Sequence, residues 1–179
     1  ARQACRSGLA SGDFLYAAYG ASTESWPAIV SCQNLGDCVR SLEPNLALVV
    51  QLRNSAFADA LRMVMAWARA LQGGTEAPLS LSHREGDGFD EAAYAETYRD
   101  NPFFSMFHAI ARLHLGVVLD EPGQALAALR AVRGSAHRLT GMIWSALFDF
   151  WGGLAMAAHL DEAVDAAERE DWLALMRSA

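Results

Sequence analysis

Between Asn54 and Gly74 the apolar residues Phe57, Leu61, Val64, Ala68 and Leu71 recur every three or four positions, with Asp59, Arg62 and Arg69 off that stripe. One apolar face at a 3.6-residue period predicts an amphipathic helix. Asn54 offers a side-chain oxygen to the free amides at its start, and Gly73-Gly74 stops it. The same signals recur along the chain. A helix over 1–10 ends at Ser11-Gly12-Asp13, a turn whose aspartate caps the next helix. That second helix runs from Phe14 toward Cys32, with Phe14, Ala18, Ala21 and Ser25 along one edge, and Pro27 should kink or split it. A turn over 34–37 leads to a third helix over 37–52 that contains Pro44. Its run LALVVQL has a strand-like composition, but every flanking segment is helical, so helix is expected there too.

A stretch rich in Ser, Glu and Gly over 74–88 predicts a flexible break, followed by a short helix over 90–98. Asn101-Pro102 opens a helix over 102–119 that is apolar on nearly all sides, from Phe103 and Phe104 to Val117 and Val118. Such a helix packs between neighbours. A turn over 120–123, a helix over 124–139, an aromatic helix over 142–160 and a final acidic helix complete the pattern. Long helices joined by short turns must lie antiparallel to their neighbours. Pairs of about 35–45 residues are the mark of an α-solenoid. The expected fold is therefore all-α: antiparallel helix pairs forming a tetratricopeptide-like, right-handed α-solenoid segment. The starts SGDFLYAAYGA, LGDCVRSLEP, LDEPGQALAAL and LDEAVDAA echo one another, each setting an acid beside a turn where it meets free amides and the helix dipole.

Composition narrows the picture. The chain has 179 residues, 53% hydrophobic and 20% charged, which suits one globular helical-repeat domain over 1–179. Its last segment, DWLALMRSA, ends inside a helical pattern, so a piece of a longer protein is expected. All 14 basic residues are arginine. Without lysine there is no Walker-A lysine, no ATP-positioning kinase lysine and no Schiff base. The net charge of −7 disfavours nucleic acid as a partner. Residues 141–160 tempt a membrane reading, but Asp149 sits mid-span and a buried core helix is expected instead. No basic flank followed by an apolar run opens the chain, and a cytoplasmic location is expected. Cys5, Cys32 and Cys38 form no CxxC spacing and read as buried or half-buried thiols, with Cys32 and Cys38 too far apart in sequence for a redox pair.

Candidate chemistry is sparse, and no catalytic residue, cofactor or metal is expected. His108 and His114 are six apart on one helix, on different faces, and His114 reads as a core histidine. His83 lies in the polar break and reads as a solvated loop residue. EGDGFDE resembles a calcium loop, but Phe89 occupies a position where an oxygen ligand is needed. Asp149, flanked by Trp144, Phe148, Phe150 and Trp151, is the acid most suited to an apolar pocket, or else to a groove or a bond to an adjacent helix. Arg130, Arg133, His137 and Arg138 line one helix as a basic strip for an acidic partner, or as a solvated face.

The succession SGDFLYAAYGAS, NLALVVQLRNSAFADALRMVMAWARALQG, GFDEAAY, FHAIARLHLGVVLDEPGQALAALRAVRG and IWSALFDFWGGLAMAA resembles a segment of very large bacterial signalling kinases. Those carry a serine/threonine kinase-like domain, a STAND-type ATPase, a tetratricopeptide-like helical region, a GAF domain and a histidine kinase. The likeness is to the helical region and covers roughly residues 8–178. It implies a non-catalytic regulatory or protein-interaction segment, partnered by neighbouring domains or another protein. The alternative is a small-molecule sensor with an apolar pocket near Trp144, Asp149 and Trp151. An excised solenoid segment also exposes apolar surface, so self-association through Trp151, Leu154, Trp172, Leu175 and Met176 is expected.

Overall fold

The computed structural model of the chain describes residues 1–84, 88–132 and 142–159, together with 166, 167, 169, 170 and 174. The fold is all-α. Its helices are α1 (Arg2–Ser11), α2 (Phe14–Ser25), α3 (Ala28–Ser31), α4 (Leu35–Gln51), α5 (Ser55–Leu71), α6 (Glu91–Thr97), α7 (Pro102–Val118), α8 (Pro122–Val132) and α9 (Ile143–His159). Helix α9 contains Asp149, and among the described residues no helix is long and apolar enough to cross a membrane. The final acidic helix expected after residue 160 falls almost wholly outside the described residues.

Side chains set the ends of these helices as the sequence implies. Asp13, Asn54 and Asn101 accept backbone N–H bonds at the starts of α2, α5 and α7. Gly12 closes α1 in the left-handed conformation at φ 76°, where a Cβ would be strained. Pro27 splits the expected second helix into α2 and α3. Pro44 does not break α4, which runs through it with the LALVVQL segment helical. Two expected turns are helix instead. Asn34 caps α4, accepting from the Asp37 amide at 2.7 Å, so the helix starts at Leu35. Likewise α8 starts at Pro122, where a missing N–H costs little.

The chain forms two compact units, 1–94 and 95–179. In the first, α1 packs on α2, and α2, α4 and α5 pack on one another. The α1–α2 approach is backbone to backbone. A Cβ on Gly8 would lie 2.6 Å from the Ala17 nitrogen, and one on Gly20 would lie 2.7 Å from that of Cys5. As one position rises by three the other falls by three, so the two helices are antiparallel. Helix α5 is the centre: Leu61, Met63, Val64, Ala66, Trp67 and Ala68 are fully buried, along with Leu42 and Val49 of α4. Full burial of the leucine, methionine and valine side chains among them is worth roughly 1.5–3 kcal/mol each. Tyr19, Trp26 and Phe57 join α2 to α5 with ring centroids 6.0–6.3 Å apart. Asn45 of α4 donates to the Ser25 hydroxyl of α2 at 2.7 Å. Of the edge formed by Phe14, Ala18, Ala21 and Ser25, the last three are buried together with Ala17 and Ser22, while Phe14 in the first turn is exposed.

In the second unit α7 packs against α8 and α9. Gly116 of α7 lets Ala125 of α8 approach, since a Cβ there would lie 2.7 Å from the Ala125 nitrogen. Phe107 meets Trp144 edge-on at 4.3 Å, and His114 stacks on Trp151 at 3.9 Å. Both contacts join residues 37 positions apart, so α7 and α9 run in the same direction.

Candidate functional site

A cleft of about 460 Å³ opens in the first unit between α4, α5 and the segment that follows α5. Glu43, Leu46, Ala47 and Val50 reach it from α4, and Arg62, Met65 and Arg69 from α5. The spacing 43, 46, 47, 50 is a single helix face, as is 62, 65, 69. Two helices facing each other through these stripes leave a trough with an apolar floor and charged rims.

The third wall is the stretch expected to be a flexible break, and its described residues are pinned by hydrogen bonds. The Glu76 amide donates to the Ser82 carbonyl at 3.1 Å. His83 and Phe89 exchange backbone bonds at 3.0 and 2.8 Å, and Gly88 at φ 62° permits that return. The Glu91 carboxylate accepts from the Leu81 amide at 2.9 Å, and the Ser82 hydroxyl accepts from the Glu91 amide at 3.1 Å. Arg84 pairs with Glu76 at 2.7 Å. Leu81 is wholly buried.

His83 is correspondingly buried, at 5% exposure, and is not the solvated loop residue expected. Its ring lies stacked beside Phe89, whose other neighbour is Tyr94. An arginine can only donate, so the His83 Nε2 atom accepts from the Arg69 guanidinium. The proton then sits on Nδ1, which faces the Leu81 carbonyl at 3.3 Å. A neutral imidazole thus holds the Arg69 guanidinium at the cleft. Arg62 is bound to Asp59 one turn earlier at 3.1 Å. A second, more polar cleft of about 550 Å³ shares His83 and Gly88 and is lined also by Glu76, Ser82, Arg84 and Asp90.

The residues singled out from sequence lie elsewhere. Trp144 is buried in a T-shaped contact with Phe107, and Trp151 is half-buried on His114. Asp149 is exposed. Five residues at about 100° each put it roughly 140° around α9 from Trp144, off the face that Trp144 and Trp151 share. Arg130 is exposed on α8, while Arg133, His137 and Arg138 lie outside the described residues. Leu154 is exposed, and Trp172, Leu175 and Met176 lie outside the described residues. His114 does belong to the core seam, and burial pushes its pKa down to about 4.

The structure brings together one pair that the sequence spacing kept apart. Cys32 and Cys38 lie near enough for one thiol to perturb the other, both free, with Cys38 fully buried. Burial first, and then the Cys32 neighbour, pushes the Cys38 thiol up to about 12. Cys32 caps the end of α3 and Cys38 lies near the start of α4, so the short turn between the two helices sets them near each other.

The described residues thus define an all-helical protein built from closely packed helix hairpins, with a cleft between α4 and α5. No family model, curated protein or solved structure matches the chain.

Proposed function

We propose that the chain is a non-catalytic helical-repeat segment of a bacterial signal-transduction kinase or ATPase, acting in the cytoplasm by binding a neighbouring domain or another protein. The observation that carries this reading is the apolar first turn of α2. Phe14, Leu15 and Tyr16 are 56%, 67% and 49% exposed there, while the later turns of the same helix bury Ala17, Ala18, Ala21, Ser22 and Ser25. Large exposed apolar clusters rimmed by polar residues are features of interaction surfaces. The parallel run of α7 and α9 at a 37-residue offset, with α8 between them in sequence, falls within the 20–45-residue range of helical repeats. The likeness to kinase helical regions rests on the sequence pattern alone. A pocket near Trp144, Asp149 and Trp151 is the weaker reading, because ring partners occupy both indoles and Asp149 points away.

The test is titration calorimetry of the chain against the domains that adjoin it in the full-length polypeptide, with Leu15→Glu/Tyr16→Glu as the variant. Both acids sit in the first turn of α2, where the helix dipole favours them, so the fold should persist. Saturable binding weakened at least about tenfold by the pair is expected, since each buried apolar side chain lost is worth more than 1 kcal/mol. Unchanged binding by the variant rejects this face.

A further inference from the structure

The α4–α5 cleft has the elements of a ligand site, and it involves none of the exposed α2 residues. Its volume of about 460 Å³ falls within the roughly 300–1,000 Å³ typical of small-molecule sites. Leu46, Ala47, Val50 and Met65 supply an apolar lining. Arg62 and Arg69 are both cationic but not equivalent. Arg62 is balanced by Asp59 at 3.1 Å. Among the described residues no carboxylate lies within ion-pair distance of Arg69, whose guanidinium donates to the uncharged Nε2 of buried His83. That single bond leaves most of a five-donor fork for another acceptor, and the fork matches a carboxylate. The imidazole contact orients it, so little is lost on binding. Glu43 on the rim repels a second negative charge, which disfavours phosphate and dicarboxylates.

We propose that this cleft binds a small apolar monocarboxylate, its tail against Leu46, Ala47, Val50 and Met65 and its carboxylate on Arg69. His83 is a positioning residue that fixes the guanidinium.

Octanoate is the probe, with 1-octanol as the uncharged control, each titrated into the chain by calorimetry. Octanoate should bind saturably at one site, at least about tenfold tighter than octanol, the scale of a charge-assisted hydrogen-bonded pair. Arg69→Gln should remove that preference while leaving octanol unchanged. Because Arg69→Gln also unties His83, Ala47→Trp serves as an independent variant. Ala47 is exposed at the cleft, so the indole fills the trough without entering the core. It should abolish binding of both probes at an unaltered melting temperature. Three results would overturn the proposal: no saturation with octanoate, equal affinity for octanoate and octanol, or full octanoate binding by a folded Ala47→Trp variant. A short peptide ending in leucine that displaces octanoate and binds far more tightly would assign the cleft to a protein C-terminus, and would overturn the small-molecule assignment too.

Discussion

His114 is held uncharged by its position between α7 and Trp151, with burial pushing its pKa to about 4. In the unfolded chain it titrates near 6.5. Below that value the unfolded state takes up a proton that the folded state does not, so stability falls with falling pH. The contribution is fully present above about pH 6.5 and lost progressively toward pH 4, amounting to about 3 kcal/mol at most. Urea unfolding of the wild type and of His114→Phe from pH 7 to 4 checks this. The phenylalanine keeps a ring against Trp151 and should flatten the acid slope. At the same scale the three thiols should differ in reactivity. The thiolate is the nucleophile, so Cys38, fully buried with its thiol pushed up to about 12, should escape iodoacetamide in the native protein. Cys5 and Cys32, both half-buried, should be labelled first, as peptide mass spectrometry can read.

At the scale of elements, one substitution should have opposite signs at two glycines. Gly116→Ala drives a methyl into the Ala125 backbone, 2.7 Å away, where nothing flexible can yield. Overpacking of about 1–3 kcal/mol should outweigh the helix-propensity gain of about 1 kcal/mol. At Gly153 of α9 an added Cβ meets nothing within 4 Å, so Gly153→Ala should stabilise by about 0.5–1 kcal/mol. Thermal or chemical denaturation of both variants decides it. The helices themselves were legible because a 3.6-residue period and capping side chains are local signals. The α2–α3 split followed from Pro27 alone. The starts of α4 and α8 were each misplaced by two residues, because Asn34-Leu35-Gly36 and Pro122-Gly123 use residues common to turns and helix starts alike. The cleft was not legible. Leu46 and Val50 belong to an apolar run with no local mark of a cleft, and Arg62 and Arg69 lie off the apolar stripe of α5. His83 gains its role only from the bridge to Phe89 and the reach of Arg69, both of which are tertiary. The aromatic cluster around Asp149 drew attention because aromatic residues are conspicuous in sequence, yet α9 turns that acid to solvent.

At the scale of the whole molecule, the absence of lysine and of a glycine-rich phosphate loop in the sequence sets an expectation for nucleotides. The chain should neither hydrolyse ATP nor transfer its phosphate, and a coupled phosphate-release assay should read background. Self-association through the C-terminal apolar residues remains a proposal of the same interaction reading. Sedimentation velocity should find a dimer, and a monomer at high concentration would reject it.

The claim that the chain serves as an interaction segment turns on whether the first turn of α2 is covered in the longer polypeptide that this reading proposes. Hydroxyl-radical footprinting of Phe14, Leu15 and Tyr16, compared between the isolated chain and the full-length polypeptide, measures that directly. Labelling of these three residues should drop several-fold in the full-length protein, while exposed Phe150 of α9 serves as an internal comparison. Equal labelling of Phe14, Leu15 and Tyr16 in both contexts, with and without the other proteins of the cell extract, would contradict the claim.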